Sequence, residues 1–238
     1  MPYLHLPRPR RAGGLIHPTS LIQPLNVADA AVFLPGYSTI SIPSGRLRMT
    51  TQIGRGNTPE GPASSVSSSA VAFLPSSTRL KSQTEGTVVG IYRPNYYWGS
   101  CAFALSQYWR YSAAGFDFYN GEINAWFSNT RHAISAFSGD PTGTLIYWAM
   151  SRVGDDFRCA WRAASGESGF TVTTVASSWF GYMTWGGSNE VFGVNADYDA
   201  GSAAECNGEL VLAAIIPDVV LPDEELMRLR NDPWAIFK

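Results

Sequence analysis

Hydrolysis of a glycosidic bond needs two carboxylates, one to protonate the leaving oxygen and one to act as nucleophile or base. In this chain the candidates for that role are Glu122, Asp155 and Asp156. On a strand, alternate residues share a face, so paired carboxylates should appear as Glu-x-Asp within an apolar run. Glu122 stands alone in its run. Asp155 and Asp156 are adjacent, so a strand would aim them at opposite faces, and a hairpin would use them as turn residues. Nucleophilic catalysis has as little to work with. There is no G-x-S-x-G, and the histidines are His5, His17 and His132. The first two lie in a proline-rich N-terminal stretch. His132, in Arg131-His132-Ala133-Ile134-Ser135, reads as a strand surface residue rather than a general base. No Gly-rich phosphate loop of either common type is present. The expectation is a protein that is not an enzyme, with no catalytic, cofactor-binding or metal-binding residue and no cofactor.

Two groupings qualify that expectation. Asn195-x-Asp197-x-Asp199-x-Gly201, with Glu205 nearby, gathers hard oxygens of the kind calcium takes six to eight of. The EF-type spacing fails, because Ala200 holds the glycine position and Cys206 that of the terminal glutamate. A solvated loop whose Asx residues cap turns explains the same residues. The aromatics form the other grouping. Tyr92, Tyr96, Tyr97, Trp98, Tyr108, Trp109 and Tyr111 crowd one region, and Trp179, Phe180, Tyr182 and Trp185 another. Sandwich cores consume most such rings, but exposed rings stack on sugars and anchor interfaces. The Gly-flanked run Trp179–Gly187 is the better contact loop. The cysteines, Cys101, Cys159 and Cys206, are odd in number and form no C-x-x-C, which excludes a zinc knuckle. Buried free thiols are the simplest reading, with one disulfide plus one thiol as the alternative.

The elements that would position these residues are strands. Hydrophobic residues are 45% and charged residues 15% of the 238, which leaves ample material for one large β-sandwich. Strands are predicted at 31–34, 38–42, 46–53, 69–74, 86–93, 100–110, 116–119, 122–128, 131–137, 144–153, 156–163, 169–176, 189–194 and 208–216. Turn signals such as Asn120-Gly121 and Gly139-Asp140-Pro141 separate several of them. Gly54 to Ser69, rich in Gly, Pro and Ser, is expected to be a long surface loop. Residues 1–25 carry five prolines and the basic cluster Arg8, Arg10 and Arg11, so they are expected to be an extended arm, with residues 26–238 as the sandwich. A net charge of -2 argues against a nucleic-acid surface. No apolar run reaches membrane-spanning length. The N-terminus lacks the apolar core of a signal peptide.

The last eighteen residues break the β pattern. In Leu221-Pro222-Asp223-Glu224-Glu225-Leu226-Met227-Arg228-Leu229, three acids follow a proline, at the positive end of a helix dipole. Leu226 and Leu229 share a face. Asp232-Pro233 stops the helix, and Trp234, Ile236 and Phe237 form an apolar tag expected to dock with both large rings buried.

This tail, preceded by Gly208-Glu209-Leu210-Val211-Leu212-Ala213-Ala214, resembles the end of laminin-G/concanavalin-A-like domains, especially those in tailed-bacteriophage proteins. Gly86 to Asn95 is similar to that family's early strand and Leu145 to Phe170 to a hairpin within it. The match departs from the family at Pro222 and Asp232. The resemblance implies an all-β, concanavalin-A-like jelly-roll sandwich with an extended N-terminal arm and one short C-terminal helix. It also implies a structural protein of the virion, a capsid decoration or tail-associated subunit, held by protein–protein contacts with other virion proteins and forming a homo-oligomer. A carbohydrate-binding adhesin module of a tail fibre, with a glycan as partner, is the alternative, and a glycan hydrolase is disfavoured by the carboxylate pattern.

Overall fold

The computed structural model describes residues 21–22, 24–25, 30–34, 39–42, 45–48, 55–64, 70–74, 85–95, 100–106, 114–119, 121–127, 130–175, 190–194 and 208–237. They form sixteen strands, all paired antiparallel, one α-helix and one terminal 3-10 turn. In chain order the strands are β1 (Ala31–Leu34), β2 (Thr39–Ile42), β3 (Gly45–Arg48), β4 (Arg55–Thr58), β5 (Gly61–Ser64), β6 (Ala70–Leu74), β7 (Glu85–Pro94) and β8 (Ser100–Ser106). They continue as β9 (Ala114–Tyr119), β10 (Glu122–Phe127), β11 (Thr130–Ala136), β12 (Ile146–Val153), β13 (Asp156–Ala163), β14 (Ser168–Thr174), β15 (Glu190–Val194) and β16 (Gly208–Pro217). Helix α1 covers Asp223–Asn231, and the 3-10 turn covers Pro233–Ile236.

One sheet has eight strands in the order β14-β13-β12-β7-β16-β1-β2-β3, and the second has six, β11-β10-β9-β8-β15-β6. The chain is thus an all-β jelly-roll sandwich with one short helix. The eight-stranded sheet is covered on both faces, which explains why its central strands are near-continuous apolar runs rather than alternating ones. Every residue of β12 from Ile146 to Arg152 is buried. Tyr147 and Ala149 point outward into a cluster with Leu226, Leu229 and Ile236. Trp148 points the other way and lies opposite Trp161 of β13, whose indole N–H donates to Ser135 of β11 in the second sheet at 2.5 Å. Trp148 demands a glycine beneath it, since a Cβ at Gly90 of β7 would overlap its six-membered ring.

A chain of hydroxyls ties the helix to the sheet. Leu221 N–H donates to Ser151 Oγ at 3.1 Å, and Thr87 Oγ1 donates to Val219 C=O at 2.7 Å. Ser151 Oγ and Thr87 Oγ1 are 2.7 Å apart. Because the one Thr87 proton goes to Val219, Ser151 must donate to Thr87, and every group in the chain is satisfied. Pro222 is the N-cap rather than a residue of the first turn. Arg158 on β13 pairs with Asp223 at 3.0 Å, and Arg230 donates to Gly169 C=O at 2.8 Å, so the sheet holds both ends of α1.

Three expectations need correction. Residues 55–64, expected within a loop, form the hairpin β4–β5. Its two-residue turn, Pro59-Glu60, is stabilised where Thr58 Oγ1 donates to Gly61 C=O and Gly61 takes φ +120°, and Ala63 is fully buried in the outer cluster. The strand expected over 46–53 is seen as Gly45–Arg48, and residues 49–53 lie outside the described residues. In the terminal tag, Pro233 and Ile236 are buried whereas Trp234 and Phe237 are half-buried. At the other end, Leu21 and Leu25, within the stretch expected to be an arm, lie in the core, and Ile22 N–H donates to Ile236 C=O at 2.9 Å. Residues 1–20 and 23 of that arm lie outside the described residues.

Ile236 carries the tag. Truncation of Ile236 to Ala is expected to cost about 2–5 kcal/mol, the range for a buried Ile losing three carbons, measured by urea unfolding. Deleting residues 233–238 should cost at least as much.

Candidate functional site

The carboxylates that could have formed a hydrolytic pair are not brought together. Glu122 opens β10 in the six-stranded sheet, and Asp155 and Asp156 lie at the β12–β13 hairpin of the eight-stranded one. Each has a structural setting. Glu122 C=O accepts a bond from the buried Asn124 Nδ2 at 3.4 Å. Gly154, with φ +57°, makes the hairpin turn, and Arg152 reaches Asp155 at 3.8 Å. Asp156 accepts from Thr174 Oγ1 at 2.6 Å.

His132 is half-buried in β11, and burial lowers its pKa below the ordinary 6.5. Cys159 is fully buried and free, and burial pushes its thiol up to about 12, so it stays protonated and unreactive at neutral pH. Tyr92 is wholly buried, a core ring rather than a contact ring. Cys101 stands in β8. His5, His17, Cys206, the Asn195–Glu205 stretch, the Trp179–Gly187 run, and Tyr96, Tyr97, Trp98, Tyr108, Trp109 and Tyr111 lie outside the described residues. Among the described residues no three His, Cys, Asp or Glu side chains converge as metal ligands, and no helix is long and apolar enough to cross a membrane.

The polar node that the structure does assemble was not visible in the sequence. Glu60, at the tip of the β4–β5 hairpin, accepts a hydrogen bond on one oxygen from Tyr147 Oη at 2.9 Å and on the other from Trp234 Nε1 at 3.0 Å. The guanidinium of Arg162 lies over the Tyr147 ring, 4.1 Å from its centroid, and donates to Asn231 C=O at 3.4 Å. Three separate segments therefore meet at one carboxylate, the hairpin, β12 and the terminal 3-10 turn, while Arg162 of β13 covers the Tyr147 ring. Hydrogen bonds to a charged group contribute about 1.5–3 kcal/mol each, enough to hold the half-buried indole in place. With both oxygens already accepting bonds, Glu60 is equipped to orient and hold the side chains around it. The signal for it was slight: Thr58-Pro59-Glu60-Gly61 is good turn chemistry, with Pro and Gly where a tight turn uses them.

No family model matches the sequence, and no curated protein matches it. Similar solved structures do exist. Domain 4 of AbnA, a GH43 extracellular arabinanase from Geobacillus stearothermophilus, in complex with arabinotriose, superposes with a TM-score of 0.58 at 14% identity, over 84% of this chain and 97% of that one. The CBM40 of the Ruminococcus gnavus IT-sialidase, bound to α2,3 sialyllactose, gives 0.53 at 13% identity, over 74% and 98%. A Trypanosoma rangeli sialidase gives 0.54 at 10% identity over 87% of this chain, which spans only 33% of that enzyme. At these identities the likeness is one of fold.

The His132 setting predicts a pH dependence. An unfolded chain takes up a proton on this residue near pH 6.5, while the folded chain resists it until lower pH. The group therefore costs nothing above that value and destabilises the fold as the pH drops through it. His132→Gln is expected to flatten the fall in Tm on going from about pH 7 to pH 5. An unchanged slope would assign that fall to other groups.

Proposed function

We propose that this chain is a carbohydrate-binding module that acts without catalysis. The observation that supports the reading most is the architecture. A two-sheet antiparallel jelly roll covers nearly the whole of two sugar-associated domains, one in complex with arabinotriose and one bound to sialyllactose. The placement of Glu122 on one sheet and of Asp155 and Asp156 on the other agrees with binding rather than hydrolysis. Sugar recognition needs exposed ring faces beside polar groups. The sequence offers candidate rings in Trp179, Phe180, Tyr182 and Trp185, between β14 and β15 in the chain.

The experiment is a glycan array that includes arabino-oligosaccharides and sialylated oligosaccharides, followed by titration of the best ligand. Trp179→Ala and Trp185→Ala are each expected to weaken binding by about tenfold or more, equivalent to ~1.4 kcal/mol. Glu122→Gln, Asp155→Asn and Asp156→Asn are expected to leave binding unchanged, and no sugar should be released. A chain that binds nothing on the array, or that cleaves a glycan and loses the cleavage with one of those three replacements, contradicts the reading.

A second reading sets the module on a tailed-phage particle, with other virion proteins as partners. It is favoured by the C-terminal unit: a strand, a connector, an acidic-start helix and a docked Pro-Trp-x-Ile-Phe tag occur in the order that the resemblance implies. The N-terminal arm, with Arg8, Arg10 and Arg11, would then pair with carboxylates on a neighbouring surface. Since Leu21 and Leu25 belong to the core, the clean test removes residues 1–20 only. The shortened chain should keep its circular dichroism and fail to incorporate into particles; incorporation at the full level would count against the arm.

A further inference from the structure

Among the described residues the eight-stranded sheet ends at β14. This strand runs in unbroken register against β13, from Asp156 opposite Thr174 to Arg162 opposite Ser168. Flanking bonds establish which backbone groups face outward. Ala163 N–H donates to Glu167 C=O, and Val175 N–H donates to Asp155 C=O. Hydrogen-bonded and non-hydrogen-bonded residues alternate along an antiparallel pair. The odd-numbered residues of β14 therefore bond to β13, while Phe170, Val172 and Thr174 turn N–H and C=O away from the sheet. Val172 is also 54% exposed, the most exposed large apolar residue among those described.

Natural edge strands are usually blunted by lysine, proline, a bulge or inward charge. Ser168-Gly169-Phe170-Thr171-Val172-Thr173-Thr174 has none of these. Its inner face is pinned, because Thr171 and Thr173 both donate to Ile134 C=O on β11, at 2.8 and 3.1 Å. The carboxylates closest to it are tied back, Glu167 by Ser138 N–H at 2.6 Å and Asp156 by Thr174 Oγ1. Among the described residues the result is a pinned edge that carries no charged side chain of its own and leaves backbone groups open.

We propose that β14 is an assembly edge and that its partner is β14 of a second copy of this chain, paired antiparallel about a two-fold axis. Self-pairing fits this strand better than most. A two-fold centred on Val172 sets Val172 against Val172 and Phe170 against Thr174, with each outward N–H meeting an outward C=O. No like charges face each other, and such self-complementarity is what an isologous interface requires. The two eight-stranded sheets would become one continuous sheet.

The test is the mass of the full-length chain in solution across a concentration series, by light scattering or sedimentation. The wild type is expected to reach twice the chain mass, and Val172→Thr, which keeps the edge neutral, to do the same. Val172→Lys and Val172→Glu are each expected to be monomers with wild-type circular dichroism, because each places like charges in direct opposition. Mixing V172K with V172E should restore the dimer, since an ammonium on one copy would then face a carboxylate on the other across the axis. A wild type that stays monomeric at every concentration overturns the proposal and leaves the edge to a strand of another protein. A dimer that survives V172K, or a mixture that stays monomeric, overturns it as well.

Discussion

The relay from Leu221 N–H through Ser151 and Thr87 to Val219 C=O is the constraint on which the outer half of this molecule depends. A sheet buried on both faces has no water to satisfy stray polar groups, and each one left unmade costs about 1–3 kcal/mol. The connector between β16 and α1 has to cross that dry surface, and two hydroxyls supply its partners. With the connector fixed, Leu226 and Leu229 fall onto β12 and β13, and Ile236 closes the cluster. Replacing either hydroxyl with a methyl would strand a backbone group under the helix, a fault felt across the whole layer.

That arrangement bears on function. The outer face of the eight-stranded sheet is spent on the helix, the hairpin and both described chain ends, and the Glu60 node locks them together. The interior is equally committed. Trp148, Trp161, Tyr92 and Phe157 are its large buried rings among the described residues, and the cation of Arg152 lies 5.2 Å from the Phe157 ring centre. On the eight-stranded sheet, recognition of any partner would therefore fall to loops and edges, the parts of a sandwich that a rigid core presents but does not specify.

The sequence was legible where local chemistry and burial agree. β7, β13 and β16 are runs of β-branched, aromatic and small apolar residues, and their limits lie within about two residues of those expected. The helix was legible because proline, three acids and a spaced leucine pair all point the same way. The β4–β5 hairpin was not, because Arg-Gly-Asn-Thr and Gly-Pro-Ala-Ser have a loop's composition and become strands only by packing on β16. Glu60 was hidden for a related reason. Its partners are 87 and 174 positions away, and nothing local marks a lone glutamate as the acceptor for a distant indole. Trp234 stays half-buried because its N–H must reach that carboxylate; treating it as a purely apolar anchor missed the polar end of the ring.

The position of β16 has a consequence for how the molecule comes into being. It lies between β7 and β1, so among the described strands it alone joins β14-β13-β12-β7 to β1-β2-β3. A ribosome makes it after all the other described strands. Until then the eight-stranded sheet exists as two fragments, each with a raw edge where the last strand will insert. Contacts between the first and last strands, such as Ala31 with Ile215, are very distant in sequence, the arrangement that slows folding and lengthens exposure to aggregation. Nascent chains that stall before Gly208 would be the vulnerable population, and a chaperone acting on this protein would find its substrate there.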